Sequence, residues 1–386
     1  MSRNRFYAGL FSVVLLLPLP SHAADQLFKN SVIDEVDISG TGYYGRLLVA
    51  EDLNNDGAKE SIYLKLSPKY MEYVWNKDRA ARRQDKAYHK KGVKLSKSPD
   101  WFASFVSASL RQDNSVGARW DASFNGEEGC VHPSQIIPAH LNKDEFLDFI
   151  IPCHGYDAIP FPGEHSLVVM SDGVNNYNVS RLTKRPSFYH DGATADFDGD
   201  GNLDILLVDA KKLRVFLNDG NGKFTPSDKY FPQFASWKGA YSVEILDVND
   251  DGYFDVFVAG HEDDKHGRQP TVFLLGNKRN KFSRKQQIVI PPVQGYGIVM
   301  DVIKEGKNLF VLRTGSGNRV YQGAVVQHVS IENLETINIL ENTKTHHVDR
   351  IFRKSDASGR LKFGGFTNKE TGIDFIFDGE NMQPVR

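Results

Sequence analysis

Three stretches of this chain place carboxylate or amide oxygens at alternate positions and then run into an apolar strand. The first carries Asp196, Asp198, Asp200 and Asp204, with Gly201 among them, ahead of Ile205-Leu206-Leu207-Val208. The second carries Asp247, Asn249, Asp251 and Asp255, with Gly252, ahead of Val256-Phe257-Val258. The third carries Asp52, Asn54, Asp56 and Glu60, with Gly57, ahead of Ser61-Ile62-Tyr63-Leu64. Hard Ca2+ takes roughly six to eight oxygen ligands. Loop positions 1, 3, 5 and 9, with the backbone carbonyl of position 7, supply most of them. Glycine at position 6 permits the sharp turn round an ion. Clustered carboxylates repel one another without a cation, so calcium explains the pattern better than a plain polar turn. An EF-hand is excluded, because position 12 is Tyr63, Leu207 or Val258 where a bidentate Glu is needed. The β-branched and aromatic residues that follow read as strands.

Weaker copies keep the frame. One runs through His140, Asn142, Asp144 and Asp148, with His140 at the first ligand position and Glu145 in place of glycine. Two more, starting at Asp301 and Lys354, have lost the ligands and read as structural turns. The frames at 140, 196, 247, 301 and 354 are spaced 56, 51, 54 and 53 residues apart, and the frame at 52 lies 88 before the second. A fixed period of this size marks a repeat architecture. One unit reads as strands over Tyr241–Val248, Phe254–Gly260, Thr271–Gly276 and Lys281–Gln287. Four short antiparallel strands per period make a propeller blade. The expectation is an all-β chain: one β-propeller over residues 24–386 with six four-stranded blades, or seven if an insertion hides one. A strand around Asn30–Val36 is expected to close the ring beside the last blade.

The loop before an apolar strand, followed by Phe216-Leu217-Asn218-Asp219-Gly220-Asn221-Gly222-Lys223-Phe224, resembles the FG-GAP/VCBS repeats. These build the propellers of integrin α-chains and of many secreted bacterial proteins. The resemblance covers about residues 45 to 375. It implies the propeller fold and bound calcium, and says little about activity, since one fold hosts many functions. A narrower likeness, to a bacterial subgroup of VCBS proteins, rests on His154-Gly155-Tyr156-Asp157 through Pro160-Phe161-Pro162-Gly163, and on His190 before the Asp196 loop.

Residues 1–23 read as a signal peptide. Arg3 and Arg5 precede an apolar run from Phe11 to Leu19, and Ser21-His22-Ala23 is a small-x-small cleavage site. The run is too short for a mature membrane anchor, and no Cys follows it as a lipoprotein would need. The mature chain is expected to be secreted or periplasmic. Losing the two arginines takes the formal net charge from −2 to −4, which argues against nucleic acid as a partner. Cys130 and Cys153 are the two cysteines, and an exported chain favours their pairing. Blade geometry places both at one end of the second blade, where the first inner strand begins and the second strand ends.

In a propeller the loops between strands 1 and 2 lie on one face, and the 4–1 and 2–3 loops on the other. His154 and His261 each stand 14 residues past a frame start, opening 2–3 loops with Asp157 or with Glu262, Asp263 and Asp264 behind them. His132, His190, His346 and His347 lie in 4–1 loops, as do Tyr241 and Tyr296. Arg313, Trp237 and Lys238 are expected nearby. Such a face suits a sugar, an anion or a transition metal, or acid–base chemistry. The alternative is that these histidines only hydrogen-bond neighbouring backbone. No nucleophile elbow, phosphate loop or HExxH motif is present.

Residues 67–100 form a basic insertion with a short helix suggested by Met71, Val74 and Trp75. It reads as a lid for an anionic partner or as a solvated arm. Three functions remain open. One is a glycan- or protein-binding module at the cell surface. Another is a polysaccharide lyase or hydrolase on the histidine face. The last is a structural envelope component.

Overall fold

The computed structural model describes residues 45–53, 56–65, 103–109, 122–127, 129–130, 133–155, 163–173, 175–209, 212–231, 239–262, 269–346, 350–355, 361–365 and 374–385. The signal peptide, Asn30–Val36, the basic insertion, Asn54, Asp157, Trp237, Lys238, Asp263 and His347 lie outside these residues.

The described chain forms six sheets in sequence order. The first contains β1 (Gly45–Glu51), β2 (Glu60–Lys65), β3 (Ala103–Ser109) and β5 (Gly129–Cys130). The second contains β6 (Ile137–Ala139), β7 (Asp148–Ile151), β8 (Leu167–Ser171) and β9 (Asn176–Arg181). To its outer edge is added β4 (Ser123–Gly126), which pairs parallel to β9. The third is β10 (Tyr189–Ala195), β11 (Asp204–Asp209), β12 (Lys212–Asn218) and β13 (Phe224–Ser227). The fourth is β14 (Ala240–Leu246), β15 (Asp255–Gly260), β16 (Val272–Leu274) and β17 (Gln287–Val289). The fifth is β18 (Ile298–Glu305), β19 (Asn308–Thr314), β20 (Gln322–Ser330) and β21 (Thr336–His346). The sixth is β22 (Ile351–Ser355), β23 (Leu361–Gly365), β24 (Asp374–Phe377) and β25 (Met382–Pro384).

The apolar runs after the acidic loops are unbroken because these strands are buried on both faces. Successive side chains point to opposite faces. Ile205 and Leu207 therefore pack against the second sheet, while Leu206 and Val208 pack against the fourth. Val256 and Val258 face the third sheet, and Phe257 and Ala259 the fifth. Leu309 and Val311 face the fourth sheet, and Phe310 and Leu312 the sixth. Five apolar clusters result, one at each junction of consecutive sheets. The core is thus a series of inter-sheet layers.

Three sequence expectations need correction. The frame at Asp301 is not a loop: Asp301 is a buried residue inside β18, and the turn is the tight one joining Glu305 to Asn308. Loss of the ligands let the loop shorten, so periodicity pointed to the wrong residue. The fourth strand of the fourth sheet is Gln287–Val289, since Ser283–Gln286 closes a turn first. Cys130 belongs to β5, the outer strand of the first sheet, and not to the second.

The disulfide does form, between Cys130 and Cys153, with Cα atoms 6.2 Å apart. It ties the first sheet to the second, where Pro133 bridges Cys153. Closing a loop of 23 residues is worth about 3 kcal/mol in the chain-entropy model. Cys153→Ser is expected to lower the melting temperature by several degrees. Mass spectrometry of unreduced, alkylated protein should show no free thiol, and two alkylated thiols in folded protein would refute the bridge.

Candidate functional site: a row of rings opposite the acidic loops

The inner strands carry a β-bulge at equivalent places. Pairing slips between Tyr189 and Asp191, between Ala240 and Ser242, and between Val299 and Asp301. The residue at which the register shifts is His190, Tyr241 or Met300. Bulges re-aim a side chain, and here they turn His190 and Tyr241 toward each other across two sheets, with ring centroids 4.0 Å apart.

Other rings extend the contact in both directions. His154, just past β7, lies 4.3 Å from His190 and 4.5 Å edge-on to Phe188. His261, just past β15, lies 4.7 Å from Tyr241. Tyr321 from the fifth sheet approaches His261, with its hydroxyl 3.4 Å from Nε2. Phe188, His154, His190, Tyr241, His261 and Tyr321 form one continuous row drawn from four sheets. His154 and His261 are buried, at 8% and 5% exposure, while Tyr321 is 38% exposed. The row therefore has a seated interior and an open end. His154 Nδ1 lies 3.2 Å from the Gly155 carbonyl, which orients the ring.

Of the residues expected on this face, His154, His190, Tyr241 and His261 come together. Arg313 lies close but is fully committed elsewhere. It is buried, donates to Glu262, to Gln327 and to the Pro291 carbonyl, and so clamps the fourth sheet to the fifth. Burial holds its pKa below the usual guanidinium value, with Glu262 opposing. Tyr296 is also committed elsewhere: its buried side chain donates its hydroxyl to Glu341 on β21, the outer strand of the fifth sheet. Sequence reasoning missed Tyr321 and Phe188. Phe188 is two residues before His190 and could have been found from strand alternation. Tyr321 could not, because it depends on a left-handed backbone at φ 59° after the 3-10 turn Gly317–Arg319. Non-glycine residues in that conformation are uncommon and cluster at functional sites.

The acidic loops lie at the β1–β2, β6–β7, β10–β11 and β14–β15 connections. Carboxylate oxygens of Asp52, Asp56 and Glu60 lie within 4.8 Å of one another, as do those of Asp196, Asp198 and Asp204. Both groups fit the oxygen chemistry of Ca2+. Position 9 has a second task. Asp204 accepts from Phe197 N and Asn218 N, Asp255 from Val248 N and Gly276 N, and Asp148 from Leu141 N and Ser171 N. Each carboxylate brackets its loop to the end of the third strand. In the His140 loop a ring nitrogen sits 3.1 Å from the Phe146 carbonyl, the position-7 oxygen that calcium would use. In the Asp247 loop Lys304 of the neighbouring sheet donates to the Asp247 carbonyl and to the Asp250 carboxylate.

Burial pushes the carboxyl of Asp148 up to about 7, of Asp204 up to about 7 and of Asp255 up to about 6, against the pull of their N–H donors. A folded pKa above the unfolded value gives stability that is lost as pH rises through it. Without a cation, this contribution fades between about pH 4 and 7. A bound cation favours the ionised form, so the rise in melting temperature from calcium is expected to be larger at pH 8 than at pH 5.5. Scanning calorimetry with calcium and with EDTA at both pH values checks this, and an equal gain at both would refute it.

Consecutive four-stranded antiparallel sheets with neighbouring inner strands define a protein of the β-propeller class. Residues 196–258 match the family of FG-GAP-like repeats. No curated protein matches the sequence as a whole. Solved structures with a similar path include a putative 6-phosphogluconolactonase from Bacteroides fragilis, at 11% identity and TM-score 0.48, covering 86% of this chain and 81% of that one. The Dos1 propeller matches at 11% identity and TM-score 0.39, covering 72% of this chain. This chain spans 62% of the Dos1 propeller's length. An exo-β-1,3-galactanase from Clostridium thermocellum matches at 11% identity and TM-score 0.40, covering 68% and 64%. None of these likenesses bears on ligand or reaction. No helix among the described residues is long and apolar enough to cross a membrane.

Proposed function

We propose that the chain is an exported, calcium-stabilised propeller of six blades whose ring row binds a glycan. The observation that carries this reading is the continuous run from Phe188 to Tyr321, built by bulges and loop ends of four different sheets. Rings offer apolar faces to the C–H surface of a sugar, and ring nitrogens and phenols offer hydrogen bonds to its hydroxyls. Export is supported by the disulfide, which persists in oxidising compartments. Protein ligands at a cell surface and a purely structural envelope role are outcomes of the test below.

A polysaccharide-acting enzyme is the second reading. It is favoured by Tyr321, whose left-handed backbone presents its hydroxyl to His261 as an acid–base pair would require. Glycan-array binding in calcium and in EDTA tests the first reading. Tyr241→Ala is expected to abolish binding while the protein stays folded, with stability lowered by about 1–3 kcal/mol because the half-buried ring packs on His190 and His261. Retention of no glycan by wild type, or equal retention by Tyr241→Ala, overturns it. Release of new reducing ends or unsaturated sugars from a bound polysaccharide, lost in Tyr321→Phe, would establish the enzyme instead.

A further inference from the structure

The acidic loop of the third sheet is backed by a wall from two other segments. One is Tyr230-Phe231, just past β13, and the other runs through Asn280 and Phe282, between β16 and β17. Asn280 Nδ2 donates to the Asp196 and Phe197 carbonyls, at 3.2 and 3.0 Å. Phe282 N donates to the Tyr230 carbonyl at 3.3 Å. The Tyr230 ring stands edge-on to Phe197, the second residue of the loop, with centroids 5.4 Å apart. These contacts fix the ring against the loop without using its hydroxyl.

Tyr230 is 1% exposed, and its Oη has no hydrogen-bond partner among the described residues. A buried hydroxyl left unbonded costs stability. The charged groups that face it belong to the loop. Burial, and after it the carboxylates of Asp198, Asp204, Asp196 and Asp200, push the phenol up to about 12. Its oxygen thus stands near all four carboxylates and bonds to none of them. That placing suits a group that serves a ligand of the loop rather than the loop itself. Three of the same acids, Asp198, Asp204 and Asp196, bring their oxygens within 4.8 Å of one another.

We propose that Tyr230 is a positioning residue for a hard divalent cation of the Ca2+ type in the Asp196 loop, its hydroxyl holding a water ligand of that ion, and that this loop binds calcium more tightly than the Asp247 loop. The inference rests on the calcium reading given above. Waters commonly complete the ligand set of protein-bound Ca2+, and a phenol can both donate and accept. Groups that hold a metal's ligands in place help to set its affinity. The ranking follows from the neighbours. In each loop a side chain from the next sheet donates to the carbonyl of the first residue. For Asp196 it is the neutral amide of Asn280, and for Asp247 it is the ammonium of Lys304. Lys304 and Lys307 also bond the Asp250 carboxylate. Fixed positive charge beside a loop opposes a divalent cation.

Tyr230→Phe keeps the ring on Phe197 and removes only the hydroxyl. In EDTA the variant is expected to melt no lower than wild type, because it loses a buried group that bonds nothing. In calcium it should gain less than wild type, and the deficit should vanish once Asp200→Ala has disabled the loop. Isothermal titration calorimetry should show the tightest calcium event weakened roughly 10–100-fold, the usual effect of losing a group that supports a metal's ligands, with weaker events unchanged. Asp200→Ala should abolish that same event. Calcium on wild type with an unchanged tightest event in Tyr230→Phe overturns this inference alone. So does a melting temperature below wild type in EDTA, which would give the hydroxyl a structural role. A tightest event that survives Asp200→Ala overturns the ranking. No calcium on wild type overturns both this inference and the calcium reading beneath it.

Discussion

Replacing Arg350 with methionine is expected to destabilise this protein by about 3–5 kcal/mol, the usual cost of removing one partner from a buried ion pair. Burial works against the charge on Arg350, but Asp191, Asp301 and Glu244 outweigh it and hold its pKa above the usual guanidinium value. Without the guanidinium, Asp191 keeps Val243 N, Gly192 N and Gln135 as donors but loses its bidentate counter-charge. The loss also severs the link from the sixth sheet to the third, 159 residues away in sequence. Arg350→Lys is expected to fall between, since an ammonium keeps the charge but not the fork. Adding Asp191→Asn to Arg350→Met should recover part of the loss, because the remaining carboxylate is then neutral and the two sites are coupled. Thermal melts should place Arg350→Met roughly 5–10 °C below wild type. A melting temperature within a degree of wild type would show that the ion pairs of Arg350 hold nothing together.

Calcium is expected to raise the melting temperature relative to EDTA. Extracellular calcium modules commonly bind at roughly 10⁻⁴–10⁻³ M. At ten times its dissociation constant, an ion bound only by the folded state adds about 1.4 kcal/mol per loop by mass action. Asp200→Ala is expected to remove one loop's share of that gain while leaving the curve in EDTA almost unchanged. Its own hydrogen bonds in the ion-free loop are local, to Asn202. Asp204→Ala should act differently and lower stability in both buffers, because Asp204 also brackets Phe197 N and Asn218 N. Identical melting curves with calcium and EDTA would remove calcium from the account of this fold.

The loop motifs and the two-sided apolar strands were legible in the sequence because both are local. An Asp-rich turn with glycine at position 6 is fixed by backbone geometry within nine residues. A run such as Ile205-Leu206-Leu207-Val208 must be covered on both faces whatever covers it. Position counting from those frames also put His154, His190, Tyr241 and His261 in equivalent loops. What counting could not supply was the register of the ring. The bulges that aim His190 and Tyr241 arise from pairing between strands. The left-handed Tyr321 depends on the turn before it, and the shortened turn after Asp301 broke the period that had been projected onto it. Nothing near Arg350 in the chain marks it, since its partners Asp191, Glu244 and Asp301 come from three other sheets. The sequence alone determined where the two-sided apolar strands run and which loops carry oxygen donors, because those depend on near neighbours. Only the tertiary structure decided which charges meet at Arg350 and which rings touch, because those contacts exist only once the sheets have packed together.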